Sequence, residues 1–471
     1  MSRLIRRRPA RDQGPRTRDP DPGPETRDNR DQGPLDVGCY HRHLVSTPLE
    51  AKAQPVSDAG QPVSSPLRSP VLQRALAAFT YRDFRVLWFG AFTSTVGTWM
   101  QKVAQSWLVL ELTGSTFYLG LDDFLGQLPI LLFTLVGGVI ADRHDRRRLL
   151  LGSQYVQMGT AFMLAALVFW NSISIWHVLM LSFAAGLAQA FGGPAYQALI
   201  PSLVNKKDLP NAIALNSIQF NLARVFGPLL AGLAIAAFGA AVCFGLNGLS
   251  FLVVIVALMS LRVKHIPTTD RKPMLQEMKG GFTYARSEPA ILGLTVLAFM
   301  TTFLGLPLLT FLPVFARDVF QGDISRYSEM MAFSGTGAVV GALVVAWLGR
   351  FRHMGIVLLL VQVAFGALIV AFSMSRVFWW SNLLLFLAGA ALICVFSMTA
   401  SLVQLIVPDH LRGRVVSIYM VAFRGGMPLG SLASGYVASL TSAPLVLAAN
   451  GALVAGVAIY FLVRSHGVRE L

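Results

Sequence analysis

The sequence predicts an all-α membrane protein, with twelve transmembrane helices in two pseudo-symmetric six-helix halves behind a disordered N-terminal arm. Three observations predict this fold class. The 471 residues are 54% hydrophobic and only 13% charged, about half the charged fraction of a soluble globular protein. From Phe84 onward, long apolar stretches follow one another with short connections. A short pattern in the first half of these stretches also recurs in the second half.

The apolar stretches divide into twelve spans, because a helix needs about 20 apolar residues to cross the hydrocarbon core. They are 84–110, 117–140, 149–170, 175–197, 211–236, 240–261, 290–315, 329–349, 354–374, 379–403, 412–437 and 444–463. We therefore expect an N-terminal half over 80–261, a cytoplasmic linker over 262–289, a C-terminal half over 290–464 and a cytoplasmic tail over 465–471.

Residues 1–75 form a basic arm rich in Arg, Asp, Pro, Gly and Gln. We expect it to be disordered, because it cannot bury enough apolar surface to offset the entropy of ordering. The favoured interpretation is a dispensable tail or translation from an upstream start. The alternative is that its Arg clusters dock on a partner or contact lipid.

Positive charge indicates which side faces the cytoplasm. One set of connections, together with the C-terminal tail, holds eighteen Lys and Arg residues, whereas the opposite set holds only Arg317, Arg326 and Arg376. Because Lys and Arg concentrate in cytoplasmic loops, both termini are expected in the cytoplasm and the chain in the cell (inner) membrane. The net charge of +15 is thus explained by topology, and no nucleic acid is expected as a partner.

An internal repeat relates the fifth span to the eleventh. Arg224, Pro228 and Leu229 recur as Arg424, Pro428 and Leu429. At a similar offset, basic residues follow a small-residue helix end in both 137–148 and 341–352. Two six-helix halves related by an axis along the membrane normal are a known transporter architecture.

The connection after the second span runs from Gly137 through Asp142 and a cluster of arginines to Arg148. Its glycines allow close helix approach, and Asp142 could cap a nearby helix N-terminus. The connection resembles the signature loop of the major facilitator superfamily, Gly-x-x-x-Asp-Arg-x-Gly-Arg-Arg, with Asp145 where the pattern has Gly. The resemblance implies the major facilitator fold and a conformational latch that engages the eleventh helix, formed by Gly138, Asp142, Arg143, Arg146 and Arg147. The alternative is a basic loop that only sets topology.

A second motif lies in the fifth span. Exporters of the superfamily have the antiporter pattern Gly-x8-Gly-x3-Gly-Pro-x2-Gly-Gly, which is matched here, with Ala for Gly at three places, by Ala214, Ala223, Gly227, Pro228, Ala231 and Gly232. Small residues at this spacing permit close packing, and ordinary packing is the alternative explanation. Residues 99–110, 112–115 and 128–129 further resemble the enterobactin-exporter and macrolide-efflux branch, and the resemblance covers about 80–464. Both resemblances favour export.

Two arginines lie deep inside apolar spans. Arg224 and Arg424 each stand about twelve residues into a span, ~18 Å along the helix and too deep for the side chain to reach a headgroup layer. Ionisable groups at this depth are costly and usually functional. We expect both to face the central cavity and meet an anionic substrate group or a carboxylate. The alternative is that they bond to neighbouring backbone carbonyls.

The first two spans hold another group of ionisable residues. Lys102 lies about twelve residues before the turn at 113–115, and Asp122 and Asp123 lie about eight residues after it, so their depths differ by ~6 Å. An acidic group beside a lysine can exchange protons as its surroundings change. The alternative is a lysine that extends outward and two interfacial aspartates. Further residues expected to line the cavity are Gln101, Gln105, Gln127 and Asn221, with Asn216 and Gln219 as weaker candidates.

These features favour a secondary active transporter, most of all a proton-coupled exporter of a small amphiphilic molecule such as a siderophore, a macrolide or another drug. Proton symport of a small solute is the alternative, and a receptor or scaffold without transport is a remote one. The expected partners are the substrate, protons and the lipid bilayer. An enzyme is not expected, because the sequence has no phosphate-binding loop and no hydrolase or metalloprotease motif. No cofactor or metal is expected either, because Cys39, Cys243 and Cys394 have no metal spacing.

Overall fold

The computed structural model describes residues 76–262, 286, 288–408, 411–464 and 466–471. The predictions about the arm over 1–75 and most of the linker over 262–289 lie outside the described residues. Within them, every regular element is a helix and no strand occurs.

Twelve helices of 21 residues or more make up most of the described chain. They are α1 Arg82–Thr113, α2 Thr116–Arg143, α3 Arg146–Phe169, α4 Ile175–Leu199, α5 Leu209–Phe238, α6 Ala240–Ser260, α7 Pro289–Val319, α8 Ile324–Leu348, α9 Met354–Met374, α10 Phe378–Ile406, α11 Arg412–Leu440 and α12 Ala443–Arg464. A four-residue helix, His466–Arg469, follows. Among the described helices, nine are long and apolar enough to cross a membrane, namely α4 to α12.

The helices differ from the predicted spans mainly at their ends. The eighth begins five residues earlier than expected, because the Asp323 carboxylate accepts hydrogen bonds from the backbone N–H groups of Ser325 at 3.1 Å and Arg326 at 3.4 Å. Asp145 caps α3 in the same way. Such polar caps lie outside the apolar stretch, so a count of apolar residues places the helix end too late.

The pairing of α1 to α6 is repeated by α7 to α12. In the first set, α1 packs on α5 and α6, α2 on α4, and α3 on α4 and α6. In the second set, α7 packs on α11 and α12, α8 on α10, and α9 on α10 and α12. The two sets meet where α2 packs on α11 and where α5 packs on α8. The pairing follows one scheme, with each helix replaced by the helix six places later.

Among the described residues, the apolar core joins the two sets at one end only. One cluster contains residues of both sets, including Leu108, Leu119 and Phe311, near the α1–α2 and α7–α8 connections. At the opposite end each set has its own cluster, one around Leu150 and the other around Met354. We call the joined end the sealed end and the other the open end. The connections predicted to be cytoplasmic lie at the open end.

Candidate functional site

A cavity of about 2040 Å³ lies between the two sets of helices. Toward the sealed end it reaches Leu119, Thr310 and Tyr327, and toward the open end it reaches Gly138 and Gly413. A Cβ atom at either of these glycines would meet no atom within 4 Å. The cavity is therefore accessible from the open end and closed at the other.

The structure places the whole predicted substrate and proton pathway on the lining of this cavity. The lining includes Gln101, Lys102, Gln105, Asp122, Asp123, Gln127, Asn221, Arg224 and Arg424. The weaker candidates Asn216 and Gln219 also line it. Ten of these eleven residues come from α1, α2 and α5, so the polar part of the lining is concentrated in the first set of helices.

Asp122 belongs to a hydrogen-bond network inside the first set. Its carboxylate accepts from Gln105 Nε2 at 3.0 and 2.9 Å and from the Ser182 hydroxyl. Gln101 Nε2 donates to Gln105 Oε1 at 3.4 Å, and Gln101 Oε1 accepts from Asn247 Nδ2 at 2.6 Å. Among the described residues, the hydrogen-bond partners of Asp122 are neutral donors on α1 and α4, so these bonds do not cross between the sets.

Asp123 connects the two sets at the sealed end. Its Oδ1 lies 2.8 Å from Lys102 Nζ on α1, and its Oδ2 accepts a hydrogen bond from the Ser431 hydroxyl on α11 at 2.7 Å. Ser431 Oγ also lies 3.2 Å from Thr310 Oγ1 on α7. The side chain of Asp123 is 9% exposed and that of Lys102 is 40% exposed. The lysine–carboxylate proximity expected from helix depth is thus present within the first set, and the same carboxylate also bonds across the interface to Ser431.

Close backbone packing surrounds the Asp123–Ser431 contact. A Cβ atom at Gly120 would lie 2.2 Å from the Ser431 carbonyl oxygen, so only glycine allows α2 and α11 to approach this closely. One turn away, Thr116 Oγ1 donates to the Gly435 carbonyl at 3.2 Å. Residue types larger than glycine at position 120 would separate the two helices.

Arg224 and Arg424 have no ion-pair or hydrogen-bond partner among the residues that the structure describes. Arg224 is 8% exposed, and its guanidinium carbon lies 5.7 Å from the centroid of the Trp99 ring, a cation–π contact. Arg424 is exposed on α11 and lines the cavity. The alternative in which these arginines bond to backbone carbonyls is not observed.

The antiporter motif packs α5 against helices of both sets. Ala223, Gly227, Pro228, Ala231 and Gly232 are buried. A Cβ atom at Gly227 would lie 2.4 Å from Trp99 Cβ on α1, and one at Gly232 would lie 2.8 Å from Ser328 on α8. Ala214 is exposed instead, so the packing explanation is wrong at that position, which lies near the open end where the sets diverge.

The predicted latch residues are only partly described, since the side chains of Asp142 and Arg143 lie outside the described set. Arg146 donates to the Ala198 carbonyl at 3.0 Å, and Arg147 donates to the Met259 carbonyl at 2.5 Å. These bonds attach the start of α3 to the ends of α4 and α6.

The two glycines before this connection differ in packing. A Cβ atom at Gly137 would lie 2.3 Å from the Ala190 carbonyl, as expected for a close helix approach. Gly138 instead faces the cavity with open space around it, so the same expectation is wrong there. Asp145, which departs from the signature pattern, accepts from the backbone N–H groups of Arg147 at 2.9 Å and Arg148 at 3.4 Å.

Sequence reasoning missed the neutral partners of the two aspartates. Ser182 is 60 residues from Asp122, and Ser431 is 308 residues from Asp123. Serines in helices usually bond to their own backbone, so neither stood out. The available signal for Ser431 was its place among small residues that include Gly430 and Gly435.

Comparisons with known proteins show which proteins this chain resembles. A family model described as transmembrane secretion effector matches residues 73–470. A staphyloferrin A transporter of Staphylococcus aureus is 26% identical over 73% of this chain and 86% of its own length. A macrolide efflux protein of Streptococcus pyogenes is 23% identical over 80% of this chain and 94% of its own. An enterobactin exporter of Escherichia coli is 24% identical over 79% of this chain and 89% of its own.

Solved structures of the same fold include transporters. A bacterial homolog of the human lysosomal transporter Spinster, inward-facing and occupied, superposes with a TM-score of 0.66 at 14% identity, covering 82% of this chain and 97% of that one. A peptide transporter in complex with alafosfalin superposes with a TM-score of 0.67 at 13% identity, covering 84% and 98%. At these identities the likeness shows the fold alone.

Proposed function

The chain belongs to the transmembrane secretion effector family, within the major facilitator superfamily, and we propose that it exports a small amphiphilic molecule in exchange for protons. Because its named relatives are transporters, we propose transport and not an enzymatic activity. The named activities of its relatives, siderophore transport, siderophore export and macrolide efflux, support export over uptake.

We further propose twelve membrane spans in two six-helix halves, with both termini in the cytoplasm of an inner membrane. The repeated pairing of α1 to α6 by α7 to α12 supports the two halves. The concentration of Lys and Arg at the open end supports its cytoplasmic placement. In that orientation the conformation is inward-facing, with the cavity accessible to a cytoplasmic substrate.

The position of Asp123 is the observation that supports proton coupling most strongly. To expose the cavity to the outside, the sealed end must open, and α2 must separate from α11 there. The Asp123 carboxylate bonds at once to Lys102 and to Ser431 on the facing helix. Both bonds depend on its negative charge, because charge-assisted hydrogen bonds are about twice as strong as neutral ones.

This arrangement gives exchange rather than leakage. With Asp123 deprotonated and no substrate bound, the sealed end stays closed and the empty carrier cannot turn outward. Substrate binding from the cytoplasm offsets this restraint and allows export. After release, the charged and hydrated Asp123 resists return to the closed interface, because burying it costs desolvation free energy. It takes up a proton from the outside, and the neutral carrier returns inward and releases the proton to the cytoplasm.

Asp122 is the natural comparison, since it is adjacent in sequence but bonds to neutral donors within the first set. We propose that it positions α1 and α4 in the cavity wall and contributes less to coupling. The latch residues and the antiporter motif are proposed to govern closure at the open end and helix packing around α5.

The proposal is tested first by a deletion strain, screened for retention of enterobactin, staphyloferrin A, a macrolide and cationic dyes. We expect the deletion strain to accumulate at least one of these compounds. The wild-type gene should reverse this accumulation, and the Asp123→Asn gene, expressed at equal abundance, should not. A strain that exports every compound normally would favour a receptor or scaffold. A strain that loses uptake instead of export would favour symport.

A further inference from the structure

We propose that the exported molecule is an organic anion bearing carboxylate groups, and that Arg224 and Arg424 bind these groups from opposite halves of the cavity. The inference rests on the proposed function for its transport role, but the binding site itself is argued from the cavity.

Arg224 is the strongest indication of a ligand. Its guanidinium has five N–H donors and stays protonated in proteins. The residue is nevertheless only 8% exposed, and it has no hydrogen-bond acceptor among the described residues. The Trp99 ring contacts the cation at 5.7 Å, but a ring face does not satisfy the planar fork of donors. The donors of Arg224 face the cavity, where a carboxylate would match the fork with two parallel bonds in place of water.

Arg424 offers a second, more exposed position on the other half. Along their helices, Arg224 lies ~22 Å from Leu209 and Arg424 lies ~18 Å from Arg412, at 1.5 Å per residue. Both line the same cavity. Because α5 packs on α8 and α11 packs on α2, the two arginines stand beside the two junctions of the halves. A molecule with two anionic groups could therefore contact both halves.

The remaining charges do not neutralise these arginines. Within the described part of the chain, the other charged residues on the lining are Lys102, Asp122 and Asp123. Asp123 is paired with Lys102, and Asp122 is bonded to neutral donors. One negative charge thus stands against two arginines, so the cavity favours an anion. Apolar lining residues such as Leu309, Met331 and Met420 fit the rest of an amphiphile.

The test is binding of citrate to the purified full-length protein in detergent, with trimethyl citrate as the uncharged control. Binding is measured by calorimetry, and folding by gel filtration and the Tm without ligand. Citrate should bind saturably and the ester should not. Arg224→Gln and Arg424→Gln should each weaken citrate binding roughly tenfold or more, since a hydrogen bond to a charged group is worth about that factor. Arg224→Lys should lie between, because it keeps the charge and loses the fork.

Arg376→Gln is the matched control, since it removes one exposed arginine from a connection outside the cavity and should leave citrate binding unchanged. Equal binding of the ester, absence of saturable citrate binding, or binding that both cavity variants leave unchanged would overturn the proposal. If citrate binds as expected but the deletion strain exports every compound normally, the anion site stands and the export function fails. If only cationic compounds are exported and citrate does not bind, the anion site fails and export stands.

Discussion

Replacement of Asp123 by Asn should loosen the sealed end and separate transport from the proton gradient. The substitution keeps the shape of the side chain and removes its charge. The bond from Ser431, 2.7 Å long, then changes from charge-assisted to neutral, a loss of about 1 kcal/mol. The pair with Lys102 joins α1 to α2 within the first set, so its loss affects the closed and open states alike and adds nothing to this difference.

The loss at Ser431 favours the outward-open state by about 1 kcal/mol, roughly a fivefold rise in its population. Leu119 provides the measurement, since it is 3% exposed and lines the cavity at the sealed end. With the native cysteines replaced, Leu119→Cys is labelled by a membrane-impermeant maleimide added outside right-side-out vesicles. The labelling rate should rise roughly fivefold when Asp123→Asn is added, in proportion to the open population.

Transport by the same variant should show a matching change. Exchange of labelled for unlabelled substrate should persist, because the neutral carrier turns freely, while accumulation driven by a pH gradient should be lost. Asp122→Asn is the control, since the hydrogen bonds of that carboxylate to described residues stay within the first set, and it should leave the labelling rate of Leu119→Cys near the reference. An unchanged rate in Asp123→Asn, or a larger rise in Asp122→Asn, would refute the reasoning.

Four further predictions follow from the cavity and the sequence. Gly120→Val should lower the Tm and raise Leu119→Cys labelling, because the new side chain meets the Ser431 carbonyl at a cost of about 1–3 kcal/mol; an unchanged Tm would contradict the close packing. Arg224→Lys should lower transport several-fold at equal abundance, by less than the loss expected for Arg224→Gln, whereas full activity would exclude a functional guanidinium. Asp142→Asn should slow transport in proteoliposomes without lowering the abundance of the protein, and a wild-type transport rate would show that Asp142 does not act as a latch. Removal of residues 2–75 should leave insertion and transport unchanged, which a normally abundant but inactive truncation would disprove.

The helices were predictable from the sequence to within a few residues because apolar length is a strong signal in membrane proteins. Errors arose where a polar side chain begins a helix, as Asp323 does for α8. Helix α7 also extends past the predicted end at 315 to Val319, through a π-helical turn that a hydropathy count does not distinguish from a connection.

The site was predictable only where it is charged. Lys102, Asp123 and Arg224 stand out in the sequence because ionisable residues are rare in apolar spans. Ser182 and Ser431 are common in membrane helices, and their importance follows from tertiary contacts to aspartates far away in sequence. The absence of a described partner for Arg224 likewise depends on the packing around it, which sequence alone does not give.

Everted membrane vesicles with an acidic lumen test the central claim most directly, because their outer surface is the cytoplasmic face. A compound retained by the deletion strain is added outside while luminal pH is followed with a fluorescent dye. Proton-coupled export predicts that the compound enters the lumen, protons leave and the lumen becomes more alkaline, in wild type but not in Asp123→Asn. Further acidification of the lumen would indicate symport, and an unchanged luminal pH during measurable transport of the compound would contradict proton coupling.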